Sequence, residues 1–533
     1  MCSALGRKIV KREEMLLSLD SQAEWDILII GGGATGLGAA VDAASRGFKT
    51  LLIEQADFAK GTSSRSTKLI HGGVRYLQQG DIPLVTEALH ERGYLCQNAP
   101  HLVHHLPFLV PNYKWWEGPF YGAGFKIYDL LAGNLGIEKS KHLTRKQTLL
   151  AIPTLEKENL RGGTIYYDGQ FDDSRLAIAL ALTAHDHGAV LLNYMKATSF
   201  IKKKGKICGI KATDTESGKR LMLRAKVVIN ATGVFSDHLC HLDNKKAKRI
   251  ISPSQGIHLI LPKSFMPSKS AVLIPHTDDG RVVFFVPWHN CVILGTTDTS
   301  ISKPSLEPKA LKKEIEFLLK YAAKYLSKAP TKKDILSVFA GLRPLVKKGH
   351  SKNTAALSRD HTILVSSSGL ITITGGKWTT YRKMAEDVIN QAILNSDLLN
   401  RVCETKTLPL HGYQKNLDPT DHFSTYGTHI KEIKALMRKT PSLKQKIHPA
   451  LPYYKVEVIW AIRHEMARTL EDVLARRTRS LLLNAKASIE AAPLVAKLMA
   501  KELNKSPAWE KKEVRAYRNL AKNYLVIDCS IDI

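Results

Sequence analysis

A glycine-rich run near the start of the chain has the composition of a phosphate-binding loop. Residues 31–36 (GGGATG) match G-x-G-x-x-G and follow the apolar run at 25–30 (WDILII). Glycines at these positions permit a tight turn and close backbone approach to a pyrophosphate, and a helix that starts here adds amide donors and its dipole. The next apolar run ends at Glu54, which is placed to accept a hydrogen bond from a ribose hydroxyl. This order predicts a dinucleotide site.

Two later segments indicate which dinucleotide is bound. Residues 227–233 (VVINATG) form an apolar run that ends in a small-residue turn, and residues 371–377 (ITITGGK) end in a glycine pair before a predicted helix over 378–391. An extended flavin dinucleotide needs late backbone beside its ring system as well as the early loop, and a helix N-terminus there stabilises negative charge on the reduced ring. A nicotinamide domain has no such need, so these segments predict FAD.

The elements that must position these residues alternate between strands and helices. A short amphipathic helix is expected over 8–24, and a βαβ unit over 25–54. Residues 253–300 are rich in predicted strands and fit an antiparallel sheet that covers a pocket. After residue 406, helical spacing of apolar residues predicts helices over 456–474 and 488–503. The further predicted strands are 163–167, 190–193, 227–230, 257–261, 282–286, 292–296 and 370–374.

These elements predict an α/β FAD-binding, Rossmann-like domain interleaved with an α+β antiparallel-sheet substrate domain, followed by an all-α domain. The chain length of 533 residues favours two or three packed units. The expected divisions are an N-terminal extension (1–24), the FAD-binding domain (25–95, 165–250 and 345–405), the substrate domain (96–164 and 251–344) and the helical domain (406–533).

The composition limits the compartment and the partners. The net charge is +29, from 78 Lys and Arg against 49 Asp and Glu, which favours attraction to polyanions, anionic lipid or small anionic substrates. The seven cysteines include no C-x-x-C pair, which indicates a reducing compartment and no zinc site. Residues 1–25 lack an apolar h-region, and no run approaches about 18 apolar residues, so neither a signal peptide nor a transmembrane helix is expected.

Two histidine patterns match metal sites only in part, and one aromatic stretch fits two environments. His464 and Glu465 begin like H-E-x-x-H, but Arg468 stands where the second histidine is needed, so no metal site is expected. His101, His104 and His105 lack a carboxylate or cysteine at ligand spacing. The aromatic residues between 115 and 128 fit either a membrane-contact or quinone-approach surface or a buried core segment.

Five longer motifs resemble the FAD-dependent glycerol-3-phosphate dehydrogenases. They are GTSSRSTKLIHGGVRYL (61–77), AGLRPL (340–345), SRDH (358–361), TITGGKWTTYR (372–382) and TLEDVLARRTR (469–479). The motifs are ordered and extend the resemblance from about residue 25 to about residue 500. The catalytic part also resembles the glycine-oxidase and D-amino-acid-oxidase flavoproteins.

The resemblance implies an activity and its setting. Expected are non-covalent FAD, glycerol 3-phosphate as donor, dihydroxyacetone phosphate as product and a membrane quinone as acceptor. It also implies peripheral, monotopic binding at the cytoplasmic face of the inner membrane, and a homodimer. Carried onto this chain, it implies that the cofactor is contacted by Gly31, Gly33, Ala34, Thr35, Gly36, Glu54, Thr62, Ser63, Ser64, Lys68, Leu69, His71, Gly233, Gly375, Gly376, Lys377 and Thr379.

The resemblance also implies a substrate site with a chemical rationale. Substrate contacts are expected from Arg75, Tyr76, His258, Arg343, Arg359 and Lys377. A phosphate close to a dianion requires several cations, preferably arginine forks. His258 is the expected general base for the C2 hydroxyl. A purely orienting histidine stays open, with Arg343 stabilising the developing alkoxide instead.

Three other functions compete with this prediction. A glycerol-3-phosphate oxidase of the same family would pass electrons to oxygen, but such oxidases carry an inserted segment that is not evident between 253 and 343. A nucleic-acid-binding module has only the charge in its favour. An amino-acid or amine oxidase gives no reason for so many pocket cations. The expected partners therefore include no nucleic acid.

Overall fold

The computed structural model of the chain describes residues 12–275, 277–278, 280–347, 361–418 and 420–526. Two large sheets lie in this part of the chain, with helices packed against both. The strands are β1 (Trp25–Ile30), β2 (Thr50–Ile53), β3 (Leu69–Ile70), β4 (Val103–Asn112), β5 (Lys141–Thr144), β6 (Gly162–Phe171), β7 (Val190–Leu192), β8 (Met195–Lys203), β9 (Lys206–Asp214), β10 (Arg220–Asn230), β11 (Ile251–Pro262), β12 (Ala271–Ile274), β13 (Val283–Trp288), β14 (Cys291–Gly295), β15 (Thr299–Ser300), β16 (Ser337–Val346), β17 (His361–Val365) and β18 (Ile371–Gly375).

The helices connect these strands and then form the C-terminal part. They are α1 (Arg12–Ser21), α2 (Ala34–Ser45), α3 (Val74–Gln78), α4 (Ile82–Asn98), α5 (Glu117–Ala132), α6 (Arg145–Ala151), α7 (Asp173–Asp186), α8 (Ser236–Asp243), α9 (Lys312–Tyr325), α10 (Tyr381–Leu394), α11 (Ile430–Lys439), α12 (Lys455–His464), α13 (Ser480–Leu483), α14 (Ala485–Glu502) and α15 (Pro507–Ala521). The helix expected over 8–24 is α1, and residues 8–11 lie outside the described residues.

The first sheet has the strand order β17-β18-β10-β1-β2-β7, and the hairpin β8–β9 extends β10. Strands β18, β10, β1, β2 and β7 pair in parallel. Their apolar runs are buried because α2 and α10 cover the sheet, as is typical of parallel strands. The carboxyl ends of β1, β10 and β18 therefore meet at one edge, where ligands bind in sheets of this kind.

The second sheet has the order β15-β11-β14-β13-β12-β4-β6-β3, with β16 paired to β11 and β5 to β6. Its pairings are antiparallel except β12–β4, which is parallel. Strand β6 spans the approximate domain boundary predicted near residue 165, and the whole strand pairs within this sheet. The strands of the two sheets alternate along the chain, which confirms the interleaved α/β and α+β fold class.

Helices α11 to α15 form the C-terminal helical domain, and α12 to α15 share a buried apolar cluster with the second sheet. The prediction of one continuous helix over 456–474 is wrong. Helix α12 ends at His464, Met466 takes a left-handed φ of 56°, and a π-helical turn follows over Asp472–Arg477. The amides of Arg468 and Thr469 donate to the Asp472 carboxylate at 2.7 and 3.0 Å, so they do not continue the α-helical ladder.

In the described ranges, every helix is too short or too polar to cross a bilayer.

Candidate active site

A cavity of about 310 Å³ lies at the carboxyl edge of the parallel sheet, and we call it the glycine cavity. Gly31 has a φ of +116°, and a Cβ there would lie 2.6 Å from the carbonyl oxygen of Ala231, so the loop after β1 needs glycine to approach β10 this closely. Of the residues predicted to contact the cofactor, those that line this cavity are Gly31, Gly33, Ala34, Thr35, Glu54, Thr62, Ser63, Gly233, Gly375, Gly376 and Lys377.

Polar contacts hold the glycine loop to the chain that follows β2. Glu54 accepts hydrogen bonds from the backbone amides of Gly32 at 2.7 Å and Ala56 at 2.9 Å. Burial raises the pKa of Glu54 above its usual value, although these amide bonds oppose the rise. Ser63 Oγ accepts from the amide of Ala34 at 2.9 Å. The cavity wall is thus fixed by the protein itself, and the helix start at Ala34 faces it.

The late segment predicted to approach a flavin ring closes the other side of the cavity. After β18, Gly375 and Gly376 lead to a 3₁₀ turn over Trp378–Thr380 and then to α10. The indole of Trp378 donates to the carbonyl oxygen of Ser63 at 2.9 Å, and Thr379 Oγ1 accepts from the amide of His71 at 3.2 Å. Residues far apart in sequence therefore form one continuous wall.

A second cavity of about 330 Å³, the histidine cavity, adjoins the first. Tyr76, His258, Arg343 and Lys377 line it, as predicted for the substrate site, and so do Leu69, His71 and Thr379 from the predicted cofactor set. The two cavities share the residues Thr62, Pro344, Gly375, Gly376, Lys377 and Trp378. A ligand extended along the glycine cavity therefore ends beside the residues of the histidine cavity.

His258 is a buried imidazole in strand β11. Its Nε2 lies 2.9 Å from Thr67 Oγ1, and its ring stacks on Phe339 with a centroid separation of 4.8 Å. Burial lowers the pKa of His258 well below its ordinary value, and the charges of Lys68 and Arg343 lower it further. The ring is therefore neutral at neutral pH and has a lone pair with which to accept a proton.

Two cationic side chains line the same cavity as this imidazole. Arg343, in β16, donates from Nη2 to Thr296 Oγ1 at 3.1 Å. Lys377 Nζ lies 3.9 Å from the centre of the Tyr76 ring, within cation–π distance. Both cations thus belong to the wall of one small cavity, which suits an anionic ligand.

Three predicted residues that the structure describes, Gly36, Ser64 and Lys68, line neither cavity. Gly36 packs against the Gly31 carbonyl oxygen. Lys68 is fully buried and paired with Asp173 at 2.6 Å, and the carbonyl oxygen of Ser64 accepts from Lys68. The cofactor contact expected of these two residues stays a prediction. Arg359 and the side chain of Arg75, which belongs to α3, lie outside the described residues.

Other cavity residues were missed by reasoning from the sequence. Thr67 lies inside the motif at 61–77 and contacts His258, but a threonine among serines gives no separate signal. Thr296 follows β14 and binds Arg343. Arg281 lies between β12 and β13 and adds a further cation to the histidine cavity. A charge next to a predicted strand is the one signal that would have marked Arg281.

The two residues that begin like H-E-x-x-H have partners inside the fold. Glu465 accepts from both terminal nitrogens of Arg175, at 2.7 and 2.8 Å, in a buried ion pair. His464 stacks on Trp460 with a centroid separation of 3.9 Å. Across the described ranges, His, Cys, Asp and Glu side chains do not gather in any group of three or more that would hold a metal ion.

Fold and cavities together define a class, that of dinucleotide-dependent oxidoreductases with a separate substrate sheet. The family model described as FAD dependent oxidoreductase matches residues 26–382, and the model described as C-terminal domain of alpha-glycerophosphate oxidase matches residues 371–512. The mitochondrial glycerol-3-phosphate dehydrogenase of Homo sapiens is 41% identical over 557 residues, which cover 98% of this chain and 76% of that protein. The chain belongs to the family of FAD-dependent glycerol-3-phosphate dehydrogenases.

Solved structures agree with this assignment. The glycerol-3-phosphate dehydrogenase from Bacillus halodurans, complexed with FAD, is 30% identical and has a TM-score of 0.78, over 98% of this chain and 99% of that chain. The glycine oxidase from Geobacillus kaustophilus, at 17% identity and a TM-score of 0.53 over 74% of this chain and 100% of that chain, shares the fold. FAD, rather than NAD, is confirmed as the cofactor.

The residues present fit FAD. The glycine cavity supplies a close backbone approach at Gly31, amide donors at the start of α2 and the carboxylate of Glu54. Gly375, Gly376 and Lys377 stand where the glycine cavity meets the histidine cavity. The glycine loop and the start of α2 would hold the pyrophosphate of FAD, and residues 375–377 would lie beside its ring system.

Proposed function

We propose that this chain oxidises sn-glycerol 3-phosphate to dihydroxyacetone phosphate and passes the electrons to a membrane quinone. The observation that supports this most is the convergence of His258, Arg343 and Lys377 on one cavity that adjoins the glycine cavity. The relatives from Homo sapiens and Bacillus halodurans are named for glycerol-3-phosphate dehydrogenase activity.

The cations of the histidine cavity account for a phosphorylated substrate. Arg343, Lys377 and Arg281 line the cavity, and a phosphate monoester carries close to two negative charges at neutral pH. Arginine forks bind such groups through paired hydrogen bonds. We propose that Arg75 and Arg359 complete this set.

The chain's own groups handle the proton of the C2 hydroxyl. The neutral imidazole of His258 accepts that proton, and Thr67 holds the ring through the 2.9 Å contact to Nε2. Arg343 stabilises negative charge on the substrate oxygen as the proton leaves. Bound FAD supplies the acceptor for the hydride that departs from C2.

Oxygen as the electron acceptor is the second candidate. In its favour, the family model that matches residues 371–512 is named for an oxidase. The two functions differ in one product, since an oxidase forms one hydrogen peroxide for each substrate oxidised. The missing insertion between 253 and 343 favours the dehydrogenase.

Anaerobic reduction of the purified holoprotein tests the proposal. We expect sn-glycerol 3-phosphate to bleach the flavin absorbance, and glycerol at the same concentration to leave it unchanged. Reoxidation is then followed with a soluble quinone or with oxygen. Fast reoxidation by quinone with little peroxide is expected. Stoichiometric peroxide without quinone would establish the oxidase, and bleaching by glycerol alone would contradict the phosphate requirement.

Substitution of Arg343 tests the same proposal at the cavity. Truncation of one partner of a charge pair costs about 2–5 kcal/mol of binding free energy. Arg343→Ala is therefore expected to lower kcat/KM for glycerol 3-phosphate by about 30- to 5000-fold while FAD is retained. The matched control is Arg224→Ala, an exposed arginine on β10. Near-normal turnover of Arg343→Ala would contradict the phosphate site.

We propose that the chain binds an anionic membrane peripherally through the outer face of α5. That face and the turn before it expose Trp115 (76%), Phe120 (52%), Ile127 (48%) and Leu130 (78%). Exposed lysines at 114 and 126 flank these side chains, and the whole chain carries a net charge of +29. Apolar side chains beside cations suit the boundary of a bilayer that contains anionic lipid.

The cellular setting follows from the same proposal. The cytoplasmic face of an inner membrane is proposed as the site of attachment, where the quinone is also available. The relatives from Homo sapiens and Schizosaccharomyces pombe are named mitochondrial. A homodimer is proposed as well, and sedimentation velocity of the detergent-solubilised protein at several concentrations checks it.

A further inference from the structure

Three arginines of the C-terminal motif at 469–479 reach across to the chain that follows β2. Arg477 bonds to both carboxylate oxygens of Asp57, at 2.6 and 3.0 Å, and Arg476 Nε lies 2.5 Å from the same carboxylate. All three side chains are buried. The charges of Arg477 and Arg476 outweigh the effect of burial on Asp57 and lower its pKa to about 2. The C-terminal helical domain thus holds one end of the segment that forms the glycine cavity.

Arg479 holds the other end of that segment through Asp173, at the start of α7. Its Nη2 lies 2.7 Å from Asp173 Oδ1, while Lys68 Nζ lies 2.6 Å from Asp173 Oδ2. The amide and hydroxyl of Ser66 donate to the same Oδ2, at 3.0 and 2.7 Å. Ser64 contributes its carbonyl oxygen, which accepts from both Lys68 at 2.9 Å and Arg479 at 3.1 Å. One carboxylate therefore fixes the backbone from 64 to 68.

This segment contacts the predicted base directly. Thr67 lies between Ser66 and Lys68 and holds the imidazole of His258 at 2.9 Å. Lys68 Nζ lies 5.1 Å from the centre of the Phe339 ring, on which His258 stacks. Lys68 and Asp173 have no solvent-exposed side-chain surface, so their charges act through a medium of low polarity. Any shift of this segment moves both the contact and the field at His258.

Among the described residues, nearby charged side chains have the largest electrostatic effects on His258 and Lys68. Lys68 and Arg343 act on His258, and Asp173, Arg479 and Asp172 act on Lys68. Burial lowers the pKa of Lys68 to about 8, and Asp173 opposes that change. Lys68 is therefore charged at pH 7, and its charge disfavours protonation of the imidazole.

We propose that Asp173 and Arg479 are positioning residues for catalysis: they fix Lys68 and Thr67 against His258, so that the C-terminal helical domain completes the active site. The inference rests on the proposed role of His258 as base. Buried ion pairs add little to stability compared with apolar packing of the same volume. Apolar side chains would be enough if this contact only held the helical domain to the rest of the chain. A fixed charge and a fixed hydrogen-bond partner at His258 require Lys68, Asp173 and Arg479.

Four holoprotein variants test the proposal through the pH dependence of kcat/KM. Lys68→Met removes the cation nearest the base, so the acid limb is expected to move to higher pH. Asp173→Asn removes the carboxylate that keeps the buried Lys68 protonated, so Lys68 loses its charge and the acid limb is expected to move to higher pH, as in Lys68→Met. Arg479→Met is expected to lower kcat/KM by about 100-fold through misplacement of the segment, and Arg479→Lys to restore part of this loss.

Controls separate the proposal from misfolding and from the proposed base. Arg463→Met removes an arginine of the same domain that pairs with Glu502 at the surface, and it is expected to leave the profile unchanged. Retained flavin absorbance and a normal thermal midpoint identify the variants that have folded. If the Asp173 and Arg479 variants have not folded, Lys68→Met decides the test, because methionine is close to lysine in shape. The inference would be overturned if the acid limb of the kcat/KM profile stayed in place in both Lys68→Met and Asp173→Asn while His258→Gln was inactive. Full activity of His258→Gln would instead remove His258 as the base.

Discussion

At the scale of single residues, His258 has the environment of a base that is kept neutral. Burial and two nearby cations lower its pKa, so the neutral ring is present at every pH above that lowered value. Thr67 fixes its orientation at 2.9 Å. A histidine with its ordinary pKa near 6.5 would be partly protonated at the pH of most cells.

His258→Gln tests this assignment. We expect kcat to fall by about 10²- to 10⁴-fold, because general base catalysis is lost while FAD and the cations of the cavity remain. In the unsubstituted protein the acid limb of kcat/KM should lie below pH 6.5, since the pKa of His258 is lowered. That limb should disappear in His258→Gln. An unchanged pH profile in the variant would exclude His258 as the titrating group.

Lys68 shows how a single residue departs from its sequence motif. It lies in the run GTSSRSTKLIHGGVRYL, where the resemblance implied cofactor contact. In the fold it lines neither cavity, and its amine is paired with Asp173 at 2.6 Å. The carboxylate that binds it lies 105 residues later, so no local pattern identifies this partner.

At the scale of elements, α5 combines the two environments that the aromatic stretch between 115 and 128 fits. Tyr121, Phe125 and Tyr128 are buried, and Phe125 stacks on Tyr166 with centroids 4.1 Å apart. Phe120, Ile127 and Leu130 lie on the outer side and are exposed. The helix therefore contributes to the core on one face and offers an apolar surface on the other.

Vesicle binding tests the outer face of α5. The double substitution Phe120→Ser, Leu130→Ser is expected to weaken binding to vesicles with anionic lipid by about tenfold or more, because two large apolar side chains no longer enter the bilayer. Cosedimentation measures the bound fraction. The matched control is Leu394→Ser, since Leu394 is 79% exposed at the end of α10. Equal losses in both variants would show that α5 has no special part in membrane contact.

At the scale of the whole molecule, buried histidines make the fold sensitive to acid. His101 lies where α4 meets the segment that begins the C-terminal part, and its Nε2 donates to the carbonyl oxygen of His411 at 3.1 Å. Burial lowers the pKa of His101 to about 3. In the unfolded chain this histidine binds a proton near its ordinary pKa of about 6.5, whereas in the folded chain it stays neutral down to a much lower pH. The stability that the neutral ring contributes is therefore lost as the pH falls below 6.5.

His101→Gln measures this contribution. Glutamine keeps a donor for the His411 carbonyl oxygen and does not titrate, so the variant should lose less stability between pH 7 and pH 5. The expected difference approaches about 1.4 kcal/mol for each pH unit below 6.5. Thermal midpoints at pH 7, 6 and 5 compare the two proteins, with His187→Gln, at an exposed position, as control. Parallel falls in all three proteins would refute the role of His101.

Much of the fold followed from local patterns. Strands β1 and β2, the glycine loop and Glu54 were predictable because each depends on a short run and its neighbours. The helix expected over 456–474 was not predictable, since Asp472 captures the amides of Arg468 and Thr469 and ends the ladder. The spacing of apolar residues indicates which side chains are buried. It does not reveal the break in the helix, because the apolar residues keep the same spacing on both sides of the break.

The sequence by itself determined the family, the FAD cofactor and the glycine-rich part of the glycine cavity, because these depend on motifs that lie in order along the chain. Tertiary structure alone decided that Thr67 meets His258, that Lys68 pairs with Asp173, and that Arg479 reaches the same carboxylate from the C-terminal helical domain. The reason is physical: a backbone loop is specified by neighbouring residues, whereas buried charges need partners, and only the packing of distant elements determines which partners they meet.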